Sequence, residues 1–511
     1  VIATGALGSA LLLGARHFSE GRAALCAGAD AHLAGIWERT PGTPRREAIR
    51  RIFESKSKTN AAQLFAGVSG LLDTFVDHWA AMYRETCEAT RVHGEQSSEV
   101  LDLRMACLGQ RLAGIKALTD VFAMADASVI DNAASAAGSL PNLEACSDIE
   151  MLRSIVQPPS DQKMRDKVTA VRAEIANARA LVDAGQCTPA TVAGAAALAE
   201  AKAVGYAPLE AEAYYVVGRA GNFCGDASAA VDAFEAAIFS AEASHHDEIA
   251  AEAAICVGGI FADRLRDTKA GRRWLRYSDA LLTRMPGHPK LEAFALQSWG
   301  IVEQAEGKLS ESVRDGQRAL ALKEQALGPL HPDTAISAMN LGNVLHDLGR
   351  DAEAEPYAAR AVSTFDRLLG PESTAGATAL LDHGEVLTTL GRYEDARHEL
   401  ERAVSIWTKA GANPFFVAYA RLDLARLELA EKRPKEARRF VEDAVDVIAK
   451  QDPQLGAQAR FVLAQALWPE RRDRERAARL AREARSNLVA TSAPAPKVAE
   501  VDAWLGSHAT P

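Results

Sequence analysis

Apolar residues recur at helical spacing along almost the whole chain. Leu64, Val68, Leu71, Leu72, Phe75, Trp79 and Met82 follow i, i+3, i+4 steps and predict one long amphipathic helix over 61–91. His93-Gly94-Glu95-Gln96-Ser97 breaks that pattern. Ser97 or Ser98 then caps a second long helix reaching about Ala127, with Leu101, Met105, Leu108, Leu112, Ile115, Leu118 and Phe122 inward. A third helix is predicted over 128–138, ended by Leu140-Pro141. Ahead of these, 16–60 reads as helix interrupted at Thr40-Pro41-Gly42-Thr43-Pro44. Pro158-Pro159-Ser160 marks a linker. Beyond it the pattern predicts helical hairpins near 163–204, 211–243, 248–283, 290–326, 333–369, 375–410, 416–450 and 456–490. A last helix over 497–505 would place Trp504 over the final hairpin.

The hairpins share a period. Gly300, Gly342 and Gly384 lie 42 residues apart, as do Gly307, Gly349 and Gly391, and Ala319, Ala361 and Ala403. A fixed period of this length marks stacked helix pairs, whose terminal units need caps. Small residues at Gly218, Gly342, Gly384 and Ala425 let the two helices of a hairpin approach. Gly225, Gly349 and Gly391 are expected to end first helices in the left-handed conformation, which costs a residue with a Cβ about 1 kcal/mol. Ala230, Ala354, Ala396 and Ala437 follow in the second helix, then Ala237, Ala361, Ala403 and Ala444. This small–turn–Ala–Ala pattern resembles the tetratricopeptide repeat. It is weaker near 258 and 300, where Leu265, Ser312 and Gly316 depart from it, and near 178 and 464. The long period, and Leu327-Gly328 with His331-Pro332-Asp333-Thr334-Ala335, resemble the longer repeats of kinesin light chain. His331 reads as a linker residue. The resemblance implies an all-α fold, a helical segment followed by a right-handed superhelical solenoid.

Composition agrees with that class. Of 511 residues 48% are hydrophobic but only 6% aromatic, which suits close helix–helix contact better than a β-sandwich. The net charge of −10 argues against a nucleic-acid partner, which calls for a basic surface. Arginines at 471, 472, 474, 476, 479, 482 and 485 alternate with Asp473, Glu475 and Glu483 and read as a solvated helix face.

The first fifteen residues carry no charge and include Leu11-Leu12-Leu13. They are read as the C-terminal part of a transmembrane helix, with a signal-peptide core or a buried helix as alternatives. Seven cysteines form no C-x-x-C pair. Cys26, Cys87, Cys107 and Cys146 are candidate disulfide residues if the segment lies outside the cytoplasm, and small buried apolar residues otherwise. Cys87 lies before the 93–97 break and Cys107 after it, so the hairpin would turn the two toward each other.

A second resemblance involves 1–155 and the C-terminus. Cys26, Trp37, Cys87-Glu88-Ala89-Thr90, Gly94-Glu95-Gln96-Ser97, Leu101-Asp102-Leu103-Arg104-Met105, Cys107-Leu108, Ala125-Asp126, Leu140-Pro141 and Cys146 resemble the segment after the membrane helix in serine/threonine protein kinases of myxobacterial type. Gly205-Tyr206-Ala207-Pro208-Leu209 and Trp504-Leu505 also suit it. The resemblance implies a kinase domain before Val1 in a parent protein.

No catalytic constellation stands out. The chain lacks G-x-G-x-x-G opening a helix, V-A-I-K, H-R-D, D-F-G, a Walker loop, H-E-x-x-H and G-x-S-x-G, so no catalytic residue, cofactor or metal is assigned. His245-His246-Asp247, the densest potential metal cluster, reads as a loop between hairpins. The candidate site is instead the concave groove, lined by first helices beside their small residues. Asn340 and Asn343, Asp382 and Glu385, and Asp423 and Arg426 are expected there. Asn amides can hold a peptide backbone and the carboxylates favour a basic or amide-rich segment.

The expected organisation is a membrane-helix end at 1–15, a helical membrane-proximal domain at 16–157, tetratricopeptide-like repeats at 163–490 and a capping helix at 496–506. The expected function is protein or peptide binding by the sensory or interaction region of a membrane-anchored bacterial kinase. The N-terminal helix would hold it to the membrane, with the repeats periplasmic and a homodimer as a further candidate. The rivals are a free-standing cytoplasmic adaptor and an enzyme with its site in 16–157.

Overall fold

In the computed structural model, residues 26–56, 60–491, 493 and 495–508 are described. They are helical throughout, with no strand among them. The chain divides into two compact units, Val1–Ser337 and Ala338–Pro511.

The first unit opens with α1 (Ala29–Leu33), α2 (Pro44–Lys56), α3 (Ala61–Arg91), α4 (Ser98–Phe122), α5 (Ala127–Gly138) and α6 (Ile149–Ser154). The Ser97 hydroxyl accepts from the Val100 N–H and starts α4. The sequence reading carried α4 on to about Ala127. It stops at Phe122 because the Asp126 carboxylate accepts from the Val129 N–H at 2.9 Å and starts a new helix. Trp37, Phe53, Leu72, Trp79 and Phe122 form a closed core here. The Trp79 indole N–H donates to the Leu108 carbonyl at 2.8 Å, so its one polar group is satisfied inside that core.

Four hairpins follow in the same unit: α7 (Gln162–Asp183) with α8 (Cys187–Val204), α9 (Ala207–Cys224) with α10 (Ala227–Glu242), α11 (Asp247–Asp263) with α12 (Thr268–Arg284), and α13 (Pro289–Ala305) with α14 (Leu309–Leu327). Residues 26–156 are not set apart from them. Helix α4 packs on α7, Arg111 pairs with Glu248 at 3.1 Å, and the Tyr206 hydroxyl donates to the Val156 carbonyl at 2.6 Å. The boundary expected near 157 is a chain linker inside one packed body.

The boundary between the units falls within α15 (Pro332–Asp347). The second unit continues with α16 (Asp351–Leu369), α17 (Thr374–Thr389), α18 (Tyr393–Ala410), α19 (Pro414–Ala430), α20 (Pro434–Val441), α21 (Ala444–Gln451), α22 (Pro453–Leu467), α23 (Arg474–Ala490) and α24 (Ala495–Ser507). The predicted second helix of the 416–450 hairpin is two short helices, α20 and α21. Trp504 of α24 packs edge-on against Phe461 and Trp468, with ring centroids 5.8 and 5.3 Å away, and closes the end of the stack.

The repeat positions do what their size requires. All eight alanines of the pattern are buried. A Cβ on Gly384 would come within 2.7 Å of the Leu400 side chain. Ser312 departs from the alanine pattern but keeps the close approach, and its hydroxyl donates to the Gly300 carbonyl at 3.2 Å. Gly391 takes φ +74° at its turn, whereas the corresponding turn of the next hairpin holds Lys432 at φ +60°. Lys432 is exposed. Lys432→Gly should therefore raise stability by up to about 1 kcal/mol by removing left-handed strain. Urea unfolding of the two proteins would show it, and an unchanged or lowered midpoint would rule the strain out.

One expectation is overturned. The chain was read as membrane-anchored with periplasmic repeats, but no helix among the described residues is long and apolar enough to cross a membrane. Even α3, the longest at 31 residues, carries Asp73, Asp77, Arg84, Glu85 and Glu88 along its length. Its apolar residues form one stripe toward the core and not a lipid-facing cylinder. The segment 1–15, read as the end of a membrane helix, lies outside the described residues.

Candidate peptide-binding groove

In the second unit the first helix of each hairpin carries a polar pair beside its small residue. On α15 these are Asn340 and Asn343, on α17 Asp382 and Glu385, and on α19 Asp423 and Arg426. The stack brings five of the six together. Asn343 donates its side-chain N–H to Asp382 at 2.8 Å. Arg426 reaches Glu385 at 2.9 Å and Asp423 at 2.7 Å through Nη1, and Gln458 of α22 at 2.9 Å through Nη2. A polar ladder thus crosses four successive first helices. Asn340 is exposed.

Two of the expected ligand-facing groups are already engaged. The Asn343 N–H serves Asp382. Asp423 is only 2% exposed and lies under Arg426, so it acts through that guanidinium. Beside the ladder is a cleft of about 300 Å³ lined by Glu385, Arg426, His346, Thr388, Gln458 and Lys497.

The electrostatics follow from two carboxylates, Glu385 and Asp423, sharing one guanidinium, with Asp382 held only by a neutral amide. Burial pushes the Asp382 carboxyl up to about 7, against the Asn343 hydrogen bond and helped by the Glu385 charge. Burial, then Glu385, pushes Asp423 well above the carboxylate range. The Glu385 charge, with burial and Asp423, raises the Tyr419 phenol as well. All three shifts report uncompensated negative charge in a partly dry groove.

The first unit holds a second concave site that the sequence reading passed over. First helices α7, α9 and α11 place charged residues on one face, opposite α4 and α5. Arg172 makes a two-point pair with Glu212, at 2.8 and 3.1 Å. Arg219 pairs with Asp183 at 2.6 Å. Next to these pairs lies a chamber of about 410 Å³. His331, read as a linker residue, packs at its edge, and burial holds its imidazole down at about 4. His246 of the histidine pair lies 3.8 Å from Glu212, and Asp247 pairs with Arg284 at 2.9 Å. No group of three or more His, Cys, Asp or Glu among the described residues could hold a metal ion.

The cysteines pair differently from the arrangement considered above. Cys87 bonds Cys26, and Cys107 bonds Cys146, so Cys87 and Cys107 do not face each other. A third disulfide, Cys187–Cys224, joins the start of α8 to the end of α9. Cys256 is a free thiol that burial pushes up to about 12. In the arginine-rich stretch, Arg476 pairs with Glu442 at 2.6 Å, Arg485 with Asp502, and Arg474 stacks over Trp468.

The tetratricopeptide repeat family model matches 292–367, 335–409 and 377–450, in overlapping steps. Residues 292–450 are tetratricopeptide repeats. The match takes in the hairpin around Gly300, where the sequence pattern is weak. Among curated proteins no sequence match is found. Among solved structures the chain is similar to nearly identical TPR-like repeats of a putative kinesin light chain from Podosopora anserina. That likeness has 21% identity over 40% of this chain and 99% of that one, with a TM-score of 0.32. It is also similar to a Rap protein complexed with competence and sporulation factor, at 14% identity over 81% and 100%, TM-score 0.48. The quorum sensor NprR from B. thuringiensis shows 14% identity over 75% and 98%, TM-score 0.45. The tetratricopeptide repeats make the chain a protein-interaction scaffold.

Proposed function

We propose that the scaffold grips an extended, basic segment of a partner protein along the Asp382–Glu385–Arg426 row of its second unit. What supports this most is one arrangement: Glu385 and Asp423 share the single guanidinium of Arg426, and Asp382, on the same helix as Glu385, has no ion pair of its own among the described residues. Asp382 receives only a neutral donor from Asn343. A lysine or arginine side chain entering the cleft would supply the missing positive charge. Asn340 and the remaining acceptor of Asn343 are placed to hold the peptide backbone.

The pH dependence has a definite sign. Asp382 is pushed up to about 7, so it is half protonated near neutrality and ionises above it. Affinity for a cationic peptide should rise between pH 6 and pH 8. The test is fluorescence anisotropy with a labelled decapeptide bearing three lysines, against its fully acetylated twin. The lysine peptide should bind more tightly, and Asp382→Asn with Glu385→Gln should weaken it about tenfold, or about 1.4 kcal/mol. Equal binding of the two peptides, or an unchanged affinity in the double variant, would sink the proposal.

The narrower reading makes this scaffold the sensory part of a serine/threonine kinase. It is supported by the residue strings around Cys87-Glu88-Ala89-Thr90 and Gly94-Glu95-Gln96-Ser97. The coding sequence upstream of Val1 tests it. Kinase motifs in frame would establish the link, and a start codon beside Val1 would remove it.

A further inference from the structure

The chamber of the first unit presents the opposite problem to the acidic row: buried cations with no counter-charge in contact. Lys290 of α13 and Lys323 of α14 line one end of it. Lys290 donates to the carbonyls of Gly138 at 3.5 Å and Leu140 at 3.3 Å. Lys323 donates to the Gln297 side-chain oxygen at 2.8 Å and to the Asp333 carbonyl at 3.5 Å. All four acceptors are neutral. Neither ammonium forms an ion pair among the described residues, although Lys323 is only 7% exposed.

Buried ammonium groups ordinarily meet a carboxylate. Here the Asp333 carboxylate acts on both lysines from longer range, as Glu252 and Glu144 do on Lys290, while Arg179 repels Lys290 and Lys290 repels Lys323. Burial is the larger effect and, with that repulsion, depresses both ammonium groups. Of the other carboxylates of the chamber, Glu248 is taken by Arg111 and Asp183 by Arg219, and Glu252 reaches Lys290 only at longer range, without an ion pair. The wall also carries apolar surface in reach of a ligand. Phe223 is 53% exposed although it lines the chamber, beside Leu291 and Phe294. A chamber of about 410 Å³ is of small-molecule size.

We infer that this chamber is a second ligand site, separate from the groove of the other unit, for a small molecule that sets a carboxylate or phosphate between Lys290 and Lys323 and an apolar ring against Phe223 and Phe294. The anion replaces the neutral acceptors as the partner of both ammonium groups, and charge-assisted bonds of this kind are the stronger ones. A purely structural role, with Lys290 tying down the Gly138 and Leu140 carbonyls and Lys323 the Gln297 and Asp333 oxygens, predicts no such binding.

Isothermal titration of the whole chain with phenylacetate, phenyl phosphate and phenylacetamide separates the two. At least one of the anions should saturate while the neutral amide, of nearly the same shape as phenylacetate, should not. Which anion binds identifies the natural group as carboxylate or phosphate. Lys323→Met should weaken the binding tenfold or more, with Lys290→Met as the second variant. The comparison of charged with neutral probes uses the unaltered protein and holds even if a variant fails to fold. Saturation by the amide equal to that by the anions overturns the site, as does no saturation by either anion at millimolar concentration. Neither result touches the acidic groove, whose residues lie in the other unit.

Discussion

Arg172→Met is expected to destabilise the first unit by about 3–5 kcal/mol, the cost of leaving a buried charge without its partner. Arg172 holds Glu212 by two bonds, at 2.8 and 3.1 Å, and both side chains are largely buried. The other basic side chain near the same carboxylate is His246, 3.8 Å away. Burial alone would raise the Glu212 carboxyl. The Arg172 charge and hydrogen bonds, with help from His246, overcome that and hold it at about 2 against an ordinary 4.5. At 1.36 kcal/mol per unit, the depression corresponds to roughly 3 kcal/mol of folding free energy.

Its pH window follows from the sign. A depressed carboxylate stabilises fully above its unfolded value of 4.5, and the contribution is lost as pH falls from there through about 2. In the variant, burial would dominate and the carboxyl would take up a proton. The gap between wild type and Arg172→Met should therefore be widest at neutral pH and shrink in acid. Urea unfolding between pH 3 and pH 8 measures it. A gap under about 1 kcal/mol at pH 7, or one that grows as pH falls, would show that the pair is not held as described. Arg172→Met combined with Glu212→Met should recover much of the loss, because an apolar pair leaves no buried charge behind.

The helices were legible because their signals are local. Helix α3 runs over the 61–91 predicted from one apolar stripe. The hairpins holding Gly218, Gly342, Gly384 and Ala425 were legible from the spacing of small residues, since a residue like Gly384, with Leu400 against it, admits no larger side chain. The groove was legible to the same depth. Of the six positions flanking the small residues, Glu385, Asp423 and Arg426 line the cleft, and the mutual pairing was not readable, because Asn343 and Asp382 meet only once two hairpins are stacked. Asp423 looked like a ligand contact and is a buried support for Arg426 for the same reason. The chamber of the first unit has a trace in the sequence as well. Charged residues recur at helical spacing among the buried apolar positions of α7, with Arg172, Arg179 and Asp183 set between Val168, Val171, Ile175 and Val182. Such residues on an inward stripe signal a lined cavity. The Cys187–Cys224 bond also had a signal. The two begin α8 and end α9, so stacking sets them at the same end of neighbouring helices.

Loss of the Cys107–Cys146 disulfide should cost about 4 kcal/mol. The bond closes a loop of 39 residues, and the chain-entropy relation gives that size at 25 °C. The native side adds to it. Cys107 sits on α4, while Cys146 sits in the short turn of helix Glu144–Ser147, and the Arg104 guanidinium donates to the Cys146 carbonyl at 3.2 Å. Arg104 also pairs with Glu85 of α3 at 3.1 Å. Freed from α4, the Glu144–Ser147 turn would loosen its hold on Arg104, and the α3–α4 hairpin would lose a tie. Cys107→Ala with Cys146→Ala is the clean variant, since both positions are buried and alanine leaves no unpaired thiol. The expected readout is a lower urea midpoint for the first unit and faster amide exchange in α4 and α6, with the second unit unchanged. Peptide mapping without reductant fixes the pairing itself, because a linked 107–146 fragment must appear in the native protein. Free thiols at both positions, or a double variant as stable as the parent, would remove the disulfide from the account of this unit's stability.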